Sequence, residues 1–393
     1  MTAETWRYDP ARTVAGQLQR GLGRGAIEPP EADAVYACVR RDYRWWWQVD
    51  ERAVYLARLI RDLGLSCAPL TERLHAPDLD DDNNEFANTL DVLEALGRAG
   101  VDGVVDEVRR YVVEGPRWQE VLETVAREWP AEHWDDLLPV VRDRIDGSVV
   151  GRPWDHWAAR DPALPLVVPR PRPPRALAGV PDEVLLDVLR DPDRSAEHRA
   201  VLREFGRRPP VPELLDVVDG LAEGHLQDAL APLGADVLPA ARRWARSGGR
   251  WCWDGFQLVA KHGDRSDVPL LLDGIAWLDS RPDDRCGYDR LVDGLARIGA
   301  PGSAGVPKLL RRLWLTPHSY ERASYLRAYL ALDRENAEYG LREGLWDCEE
   351  DVRLLAARHV SLIPRIRERL AYLRDDPIET PAVRGVTEAR LAG

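Results

Sequence analysis

Two clusters that pair tryptophan with charged side chains are the best candidates for chemistry in this chain. The first is the run Arg40-Arg41-Asp42-Tyr43-Arg44-Trp45-Trp46-Trp47. Three consecutive tryptophans cannot all face one core if the segment is helical, so at least one is expected at the surface or against another element. Guanidinium and indole groups together suit ligand stacking, cation–π contacts and interface hot spots, although a buried aromatic wedge is the alternative because large aromatic residues are usually mostly buried. The candidate binding residues here are Arg40, Arg41, Arg44, Trp45, Trp46 and Trp47.

The second cluster follows two glycines and runs Arg250-Trp251-Cys252-Trp253-Asp254. On a helix, Trp251 and Trp253 would point about 200° apart. We therefore expect one of them to pack between neighbouring helices and the other to reach the surface. Arg250, Trp251, Trp253 and Asp254 are the second set of candidate binding residues.

The remaining polar motifs predict neither catalysis nor a metal centre. The acidic run at 78–86 could coordinate a cation but lacks the central glycine and final glutamate of an EF-hand loop, so we expect it to cap a helix that starts near Phe86. His133 and His156 each lie close to aspartate and tryptophan, an arrangement more typical of surface or capping groups than of a catalytic site. The five cysteines are scattered and form no Cys-x-x-Cys pair. We expect reduced thiols, no zinc site, no catalytic residues and no cofactor.

Composition limits the class of partner. The chain has 393 residues, with 54 Lys+Arg against 67 Asp+Glu and a formal net charge of −13. Nucleic acid and anionic membranes are therefore unfavourable partners, since phosphate binding needs clustered positive charge. Only Lys261 and Lys308 are lysines, a bias that base composition of the genome explains more simply than function. There is no apolar leader segment and no apolar run of about 18 residues, so we expect a cytoplasmic protein.

The elements that must position these residues are helices that begin at regularly spaced prolines. A valine lies one or two residues before Pro181, Pro212, Pro239, Pro269 and Pro307, and each pair opens a run of apolar residues at helical spacing. The period is close to that of one helical hairpin, which predicts a stack of paired helices. Proline suits the first turn of a helix because that turn needs no amide donor. Each Val-Pro pair is therefore predicted to mark a helix start.

A proline-rich segment divides the chain. Residues 161–181 contain seven prolines, which prevent a helix and favour extended backbone. We predict an irregular helical half at 1–160, a connector at 161–181 and an array of helical repeats with a terminal cap at 182–393. In the first half, helices are predicted on both sides of Gly97–Gly100, followed by helices at 118–127 and 133–145.

The last repeat resembles the second helix of HEAT repeats. Asp351, Val352 and Arg353 match the residues near the start of that helix, and Ala356 and Ala357 match the small residues at which neighbouring repeats touch. The loops at 263–269 and 299–307 are similar to HEAT turns, and the resemblance is best over residues 225–362. It implies an all-α, right-handed α-solenoid of HEAT-like hairpins with a concave groove, as in uncharacterised bacterial HEAT-repeat proteins.

The resemblance leaves more than one function open. Solenoids usually hold a macromolecule or peptide along their groove, so the leading hypothesis is a non-catalytic adaptor for a protein or peptide partner. The alternative is an enzyme or self-resistance factor acting on a small ligand or on nucleic acid, because HEAT-like alkylpurine DNA glycosylases use a Trp/Asp pair and Trp253 with Asp254 is the nearest counterpart. A third is a structural subunit whose groove is filled by a second copy, as a homo-oligomer.

Overall fold

A computed structural model describes residues 8–28, 30–44, 49–76, 84–167, 176–221, 226–281, 286–299 and 305–393. Over these residues the fold is all-α, which confirms the predicted class. The described residues hold no strand beyond an isolated parallel bridge between Val149 and Leu166. No helix among them has the length and apolar character needed to cross a bilayer.

The helices before the proline-rich segment vary in length, and the longest is α6. They are α1 (Val14–Gln19), α2 (Arg24–Ile27), α3 (Ala32–Arg40), α4 (Arg52–Asp62), α5 (Ala68–Leu74), α6 (Glu85–Arg98), α7 (Val104–Glu114), α8 (Trp118–Glu128), α9 (Leu138–Val141) and α10 (Trp154–Ala158).

The helices after the segment are more regular. They are α11 (Asp182–Arg190), α12 (Ser195–Phe205), α13 (Leu214–Val217), α14 (Leu226–Leu230), α15 (Leu238–Ser247), α16 (Cys252–His262), α17 (Val268–Asp279), α18 (Tyr288–Ile298), α19 (Val306–Leu313), α20 (Arg322–Leu332), α21 (Arg334–Gly344), α22 (Glu350–His359), α23 (Pro364–Asp375) and α24 (Pro381–Ala392).

The valine–proline pairs mark helix starts, as predicted. Proline occupies the first turn of α15, α17 and α19, and Pro181 is the residue immediately before α11. Pro212 lies in the turn that leads into α13. The prediction of one helix over 133–145 is wrong, because Pro139 can only open a helix and the segment breaks into α9 flanked by 3-10 turns.

Contacts group the chain into two compact units. Unit 1 comprises Met1–Pro169, Leu315–Ala323 and Glu338–Gly393, and unit 2 comprises Arg170–Trp314 and Ser324–Ala337. The last helices, α22 to α24, thus belong to the same unit as the first, whereas the sequence grouped them with 182–314. Whether the sequence boundaries at 161 and 181 delimit units that fold independently stays a prediction.

Helix α6 is the centre of unit 1. It contacts α3, α4, α5, α7 and α8, and its apolar residues are almost wholly buried, among them Phe86, Leu90 and Leu93. The two ends of the chain also meet in this unit: the Cys348 amide donates to the Gly21 carbonyl over 3.0 Å. A Cβ on Gly23 would lie 2.0 Å from the Glu343 carbonyl oxygen, so the segments approach this closely only because glycine has no side chain.

Unit 2 is built from helical hairpins that contact one another in series. The paired helices are α11 with α12, α15 with α16, and α17 with α18. Helices α12, α14, α16 and α18 contact one another in that order. Glycines allow close crossings between them. A Cβ on Gly294 of α18 would lie 2.6 Å from the Ala260 Cα on α16.

Candidate functional site

The described part of the first predicted cluster is mainly structural. Arg40 is exposed at the end of α3, and the Arg41 guanidinium lies 5.2 Å from the centre of the Tyr43 ring. Arg44 is buried, which by itself lowers the pKa of its guanidinium, but Asp42 and Asp91 outweigh burial and raise the pKa above its usual value. It donates to Asp42 Oδ1 over 2.9 Å and to Asp91 Oδ2 over 2.7 Å. Two carboxylates thus hold Arg44 inside unit 1 and keep it from a ligand, while Trp45, Trp46 and Trp47 lie outside the described residues.

The second predicted cluster is divided between core and surface. Trp251 is buried, whereas Trp253 is half-buried and stacks on Trp277, with ring centres 5.9 Å apart and planes at 6°. Arg250 is exposed and donates to the Leu221 carbonyl over 2.6 Å. The two indoles therefore separate as helical spacing predicts.

Asp254 has a capping role. Its Oδ1 accepts hydrogen bonds from the amides of Leu226, over 2.9 Å, and Gln227, over 3.3 Å. These are the first amides of α14, which lack partners inside that helix. The carboxylate is thereby committed to the backbone. Asp254 is therefore not available as the acid of the tryptophan–aspartate pair that a glycosylase would use.

Unit 2 contains a groove that sequence reasoning missed. It has a volume of about 440 Å³. We call it the cation groove, and its lining residues are Arg203, Gly206, Arg207, Asp228, Ala231, Pro232 and Lys261. Arg203 lies in the last turn of α12, and Arg207 follows four residues later just beyond its end, while Lys261 lies in the last turn of α16. Three cationic side chains, from α12, from the turn that follows it and from α16, therefore line one opening.

The charges of the cation groove are not neutralised by neighbouring side chains. Arg203, Arg207 and Lys261 are all exposed, and within the described ranges none of them has a carboxylate oxygen within 4 Å. The adjacent Arg208 contrasts with them, since it pairs with Glu204 at 3.1 Å and with Asp182 at 2.5 Å. The pKa of His262 is lowered by partial burial and by the positive charge of Lys261 and Arg297. The groove therefore presents three exposed cations on a protein whose net charge is −13.

The sequence contains two weak signals of this groove. Lys261 is one of only two lysines in the chain, and the bias was interpreted as genomic. Arg203 and Arg207 are four residues apart, a spacing that puts like charges on one helix face at some cost in stability. Neither signal predicts that Lys261 lines one groove with Arg203 and Arg207, because the packing of α12, α14 and α16 brings these residues together.

Unit 1 contains a buried network of ion pairs, which we call the ionic cluster. Arg52 Nε donates to Asp50 Oδ1 over 2.9 Å. The other pairs are Arg322 with Asp347, Arg353 with Glu379, and Arg58 with Asp376 and Glu379, at distances from 2.7 to 3.0 Å. Each pair places a charge-assisted hydrogen bond in the interior, where an unpaired charge would be costly.

Glu349 is the exception in the ionic cluster. It is 6% exposed, and among the described side chains no arginine or lysine nitrogen lies within 4 Å of its carboxylate. Burial, with the nearby charges of Asp50 and Glu51, raises the pKa of Glu349 to about 8. Its neighbour Cys348 is fully buried. The Cys348 Sγ, the Glu349 carboxylate and the Asp50 carboxylate each place an atom within 4.8 Å of the others.

A polar cavity of about 310 Å³ reaches the edge of this cluster. Asp50, Glu51 and Arg353 line it on the side of the cluster, and Asp91 and Glu94 line it elsewhere. Burial raises the pKa of Glu94 to about 7, against the opposing effect of Arg98. The cavity therefore connects buried carboxylates with solvent.

In comparisons by sequence and by structure, no family model, no curated protein and no solved structure matches the chain. The resemblance to HEAT repeats accordingly stays a prediction that depends on residues such as Val352 and Arg353.

Proposed function

We propose that the protein is a non-catalytic helical scaffold whose unit 2 binds an acidic segment of a partner protein in the cation groove. One observation carries the proposal: Arg203, Arg207 and Lys261 line a single groove without a carboxylate paired to any of them in the described structure. Exposed cations without partners cost little in water and remain available to a ligand. A complementary acidic segment would be oriented and steered by them.

The arrangement of unit 2 supports a scaffold. Helices α12, α14, α16 and α18 contact one another in this order, and we interpret the series as a solenoid-like array of HEAT-like hairpins. An array of this kind exposes the outer faces of its second helices as one extended surface. Helix α12, the turn after it and helix α16 provide the cationic side chains of the groove, and Asp228 of α14 lies among them.

An acidic peptide fits this groove better than nucleic acid does. The protein carries a net charge of −13, which repels a long polyanion such as nucleic acid more strongly than a short acidic segment that carries fewer charges. Binding along a nucleic acid backbone requires many phosphate contacts, whereas the groove offers three cations and includes the carboxylate of Asp228. A glycosylase-like activity has less support still, because Asp254 caps α14.

Fluorescence anisotropy with a fluorescein-labelled oligoglutamate peptide tests the proposal. Exposed charge pairs contribute about 0.2–1 kcal/mol each, so the variant R203A/R207A should weaken binding by roughly 2- to 30-fold. The matched control is R199A, because Arg199 is exposed on the same helix but does not line the groove. Binding should also weaken with added salt, as expected for exposed charges.

Three results would count against the acidic-peptide proposal. The first is equal affinity of R203A/R207A and R199A for oligoglutamate. The second is tighter binding of oligolysine or of single-stranded DNA of the same length. The third is concentration-dependent self-association, measured by light scattering, that R203A/R207A abolishes, since a second copy of the chain would then be the occupant of the groove.

A further inference from the structure

The ionic cluster of unit 1 combines residues that bind transition metals. Asp50 lies just before α4, and Cys348 with Glu349 lies just before α22, so the ligand atoms come from two loop segments nearly 300 residues apart in sequence. One oxygen of each carboxylate and the Cys348 Sγ lie within 4.8 Å of one another. In a tetrahedral zinc site, bonds of about 2.0–2.3 Å place ligand atoms roughly 3.3–3.8 Å apart. Small side-chain rotations would therefore close the three groups around one ion.

A fourth group faces the same point. The Ser319 side chain lies beside the carboxylates of both Asp50 and Glu349. Ser319 is fully buried, yet its hydroxyl makes no hydrogen bond of acceptable geometry. A buried hydroxyl without such a bond is costly. The hydroxyl can turn its hydrogen towards either carboxylate and leave its oxygen free to face an ion held between them.

The charges around the site also favour a cation. Arg52, Arg322 and Arg353 each have a carboxylate of their own, namely Asp50, Asp347 and Glu379. Glu349 remains as a buried carboxylate without an arginine or lysine nitrogen within 4 Å in the described structure, and the arginine beside Cys348, Arg322, is already paired with Asp347. A divalent ion would supply the missing positive charge and favour the thiolate form of cysteine.

The surroundings can hold a thiolate ligand in place. Arg322 Nη2 lies 3.1 Å from the Cys348 Sγ, so it can donate to a metal-bound thiolate, and Arg52 does the same for the Asp50 carboxylate. Outer hydrogen bonds of this kind orient metal ligands and tune affinity. Gly21 contacts the thiol on another side, since a Cβ at that position would lie 2.4 Å from the Sγ.

We propose that Asp50, Cys348 and Glu349, with the Ser319 hydroxyl, form a structural site for zinc or a similar borderline-soft divalent ion. One thiolate and two carboxylates suit such an ion better than calcium or magnesium, which prefer oxygen ligands alone. The cavity lined by Asp50, Glu51 and Arg353 provides the entry path. The site joins the two ends of the chain within unit 1, so binding of the ion stabilises this unit.

Metal analysis and cobalt substitution of the full chain, purified without an affinity tag or chelator, test the site. Wild-type protein should carry zinc in a stoichiometric amount. After exchange to Co²⁺ it should show a sulfur-to-cobalt charge-transfer band with the intense visible bands of a tetrahedral complex. The variant C348S should lose both. The matched control is C38S, because Cys38 is a second buried free thiol in unit 1 and should keep both signals.

Glu349→Gln provides a test that depends less on folding, because the side chains have nearly the same size. Zinc binding by E349Q should be at least about tenfold weaker in competition with a chromophoric chelator, since even outer-shell changes have this effect. Zinc should raise the thermal midpoint of wild-type protein and of C38S, but not that of E349Q. Circular dichroism checks that each variant is folded.

Two results would overturn the site. One is folded wild-type protein that holds no stoichiometric metal and gives no charge-transfer band on titration with Co²⁺. The other is C348S that retains zinc as tightly as the wild type. In the first case a proton on Glu349 accounts for the surplus charge, and E349Q should then be as stable as the wild type in the presence of chelator.

Discussion

Replacement of Arg44 by methionine separates a structural role from a ligand-binding role for this side chain. The Arg44 side chain is 4% exposed and that of its partner Asp42 is 2% exposed. Both Nε and Nη2 of Arg44 donate to Asp42, over 2.9 Å each. Methionine fills a similar volume but leaves the Asp42 carboxylate buried without its cation. Breaking one side of a buried ion pair costs about 3–5 kcal/mol.

That loss should be visible in unfolding. For a domain of roughly 150–250 residues, each kcal/mol shifts the thermal midpoint by about 2–4 °C, so R44M should lower the midpoint of unit 1 by roughly 6–20 °C. Urea titration followed by circular dichroism gives the free energy of unfolding. Hydrogen exchange in α4 to α8 assigns the transition to unit 1, since the two units need not unfold together.

Two comparisons sharpen the interpretation of R44M. The exposed Arg40 is the control, and R40M should change the free energy of unfolding by less than about 0.5 kcal/mol. The double variant R44M/D42N should recover about 1–3 kcal/mol relative to the sum of the single changes, because the two side chains interact directly. A free energy for R44M within 0.5 kcal/mol of the wild type would refute the argument.

Three other changes should have effects of known sign. Burial raises the pKa of Glu94 to about 7 from a usual 4.5, so the folded state holds this proton more tightly than the unfolded state. The contribution of Glu94 to stability should therefore fall by up to about 1.4 kcal/mol per pH unit as the pH rises from 4.5 to 7. Urea titrations should show a smaller fall over this range for E94Q than for the wild type, since Glu349 and other groups continue to contribute. D254A should destabilise unit 2 by about 0.5–2 kcal/mol through loss of the cap on α14, with D254N as the milder control in thermal unfolding. G294A should destabilise unit 2 by about 1–3 kcal/mol, because the added Cβ would meet Ala260. G385A is the control: a Cβ at this position of α24 would have nothing within 4 Å, so this variant should be more stable by about 0.5–1 kcal/mol. Equal effects of the two substitutions in calorimetry would contradict the packing of α18 against α16.

Local features of the fold were predictable because local residues decide them. Proline can occupy only the first turn of a helix or the residues before it, and the starts of α15, α17 and α19 follow from that restriction. The stop after α6 follows from the glycines around Gly100, which adopts a φ of +74°. The prediction of one helix over 133–145 is wrong for a reason that is also local: Pro139 cannot lie inside a helix, so a new helix, α9, begins there.

The candidate sites were less predictable, because residue type does not reveal which charges are neutralised. Arg44 and Arg203 are equivalent in a sequence, yet one is buried between carboxylates and the other is exposed in a groove. Asp254 looked available for chemistry and is instead bonded to two amides from a helix that precedes it by more than 20 residues. Each outcome depends on which helix packs against the residue.

The sequence by itself determined the all-α class, the helix starts at the prolines and the acidic net charge that disfavours nucleic acid. Apolar periodicity and the restrictions of proline and glycine act within a few residues, so they can be read from the chain directly. Only the tertiary structure decided that α22 to α24 return to the amino-terminal helices, that Asp50 meets Cys348 and Glu349, and that Lys261 lies in one groove with Arg203. Such contacts join residues that lie tens to hundreds of positions apart in the sequence. They depend on which helix faces pack together, and local preferences for helix or turn do not determine this.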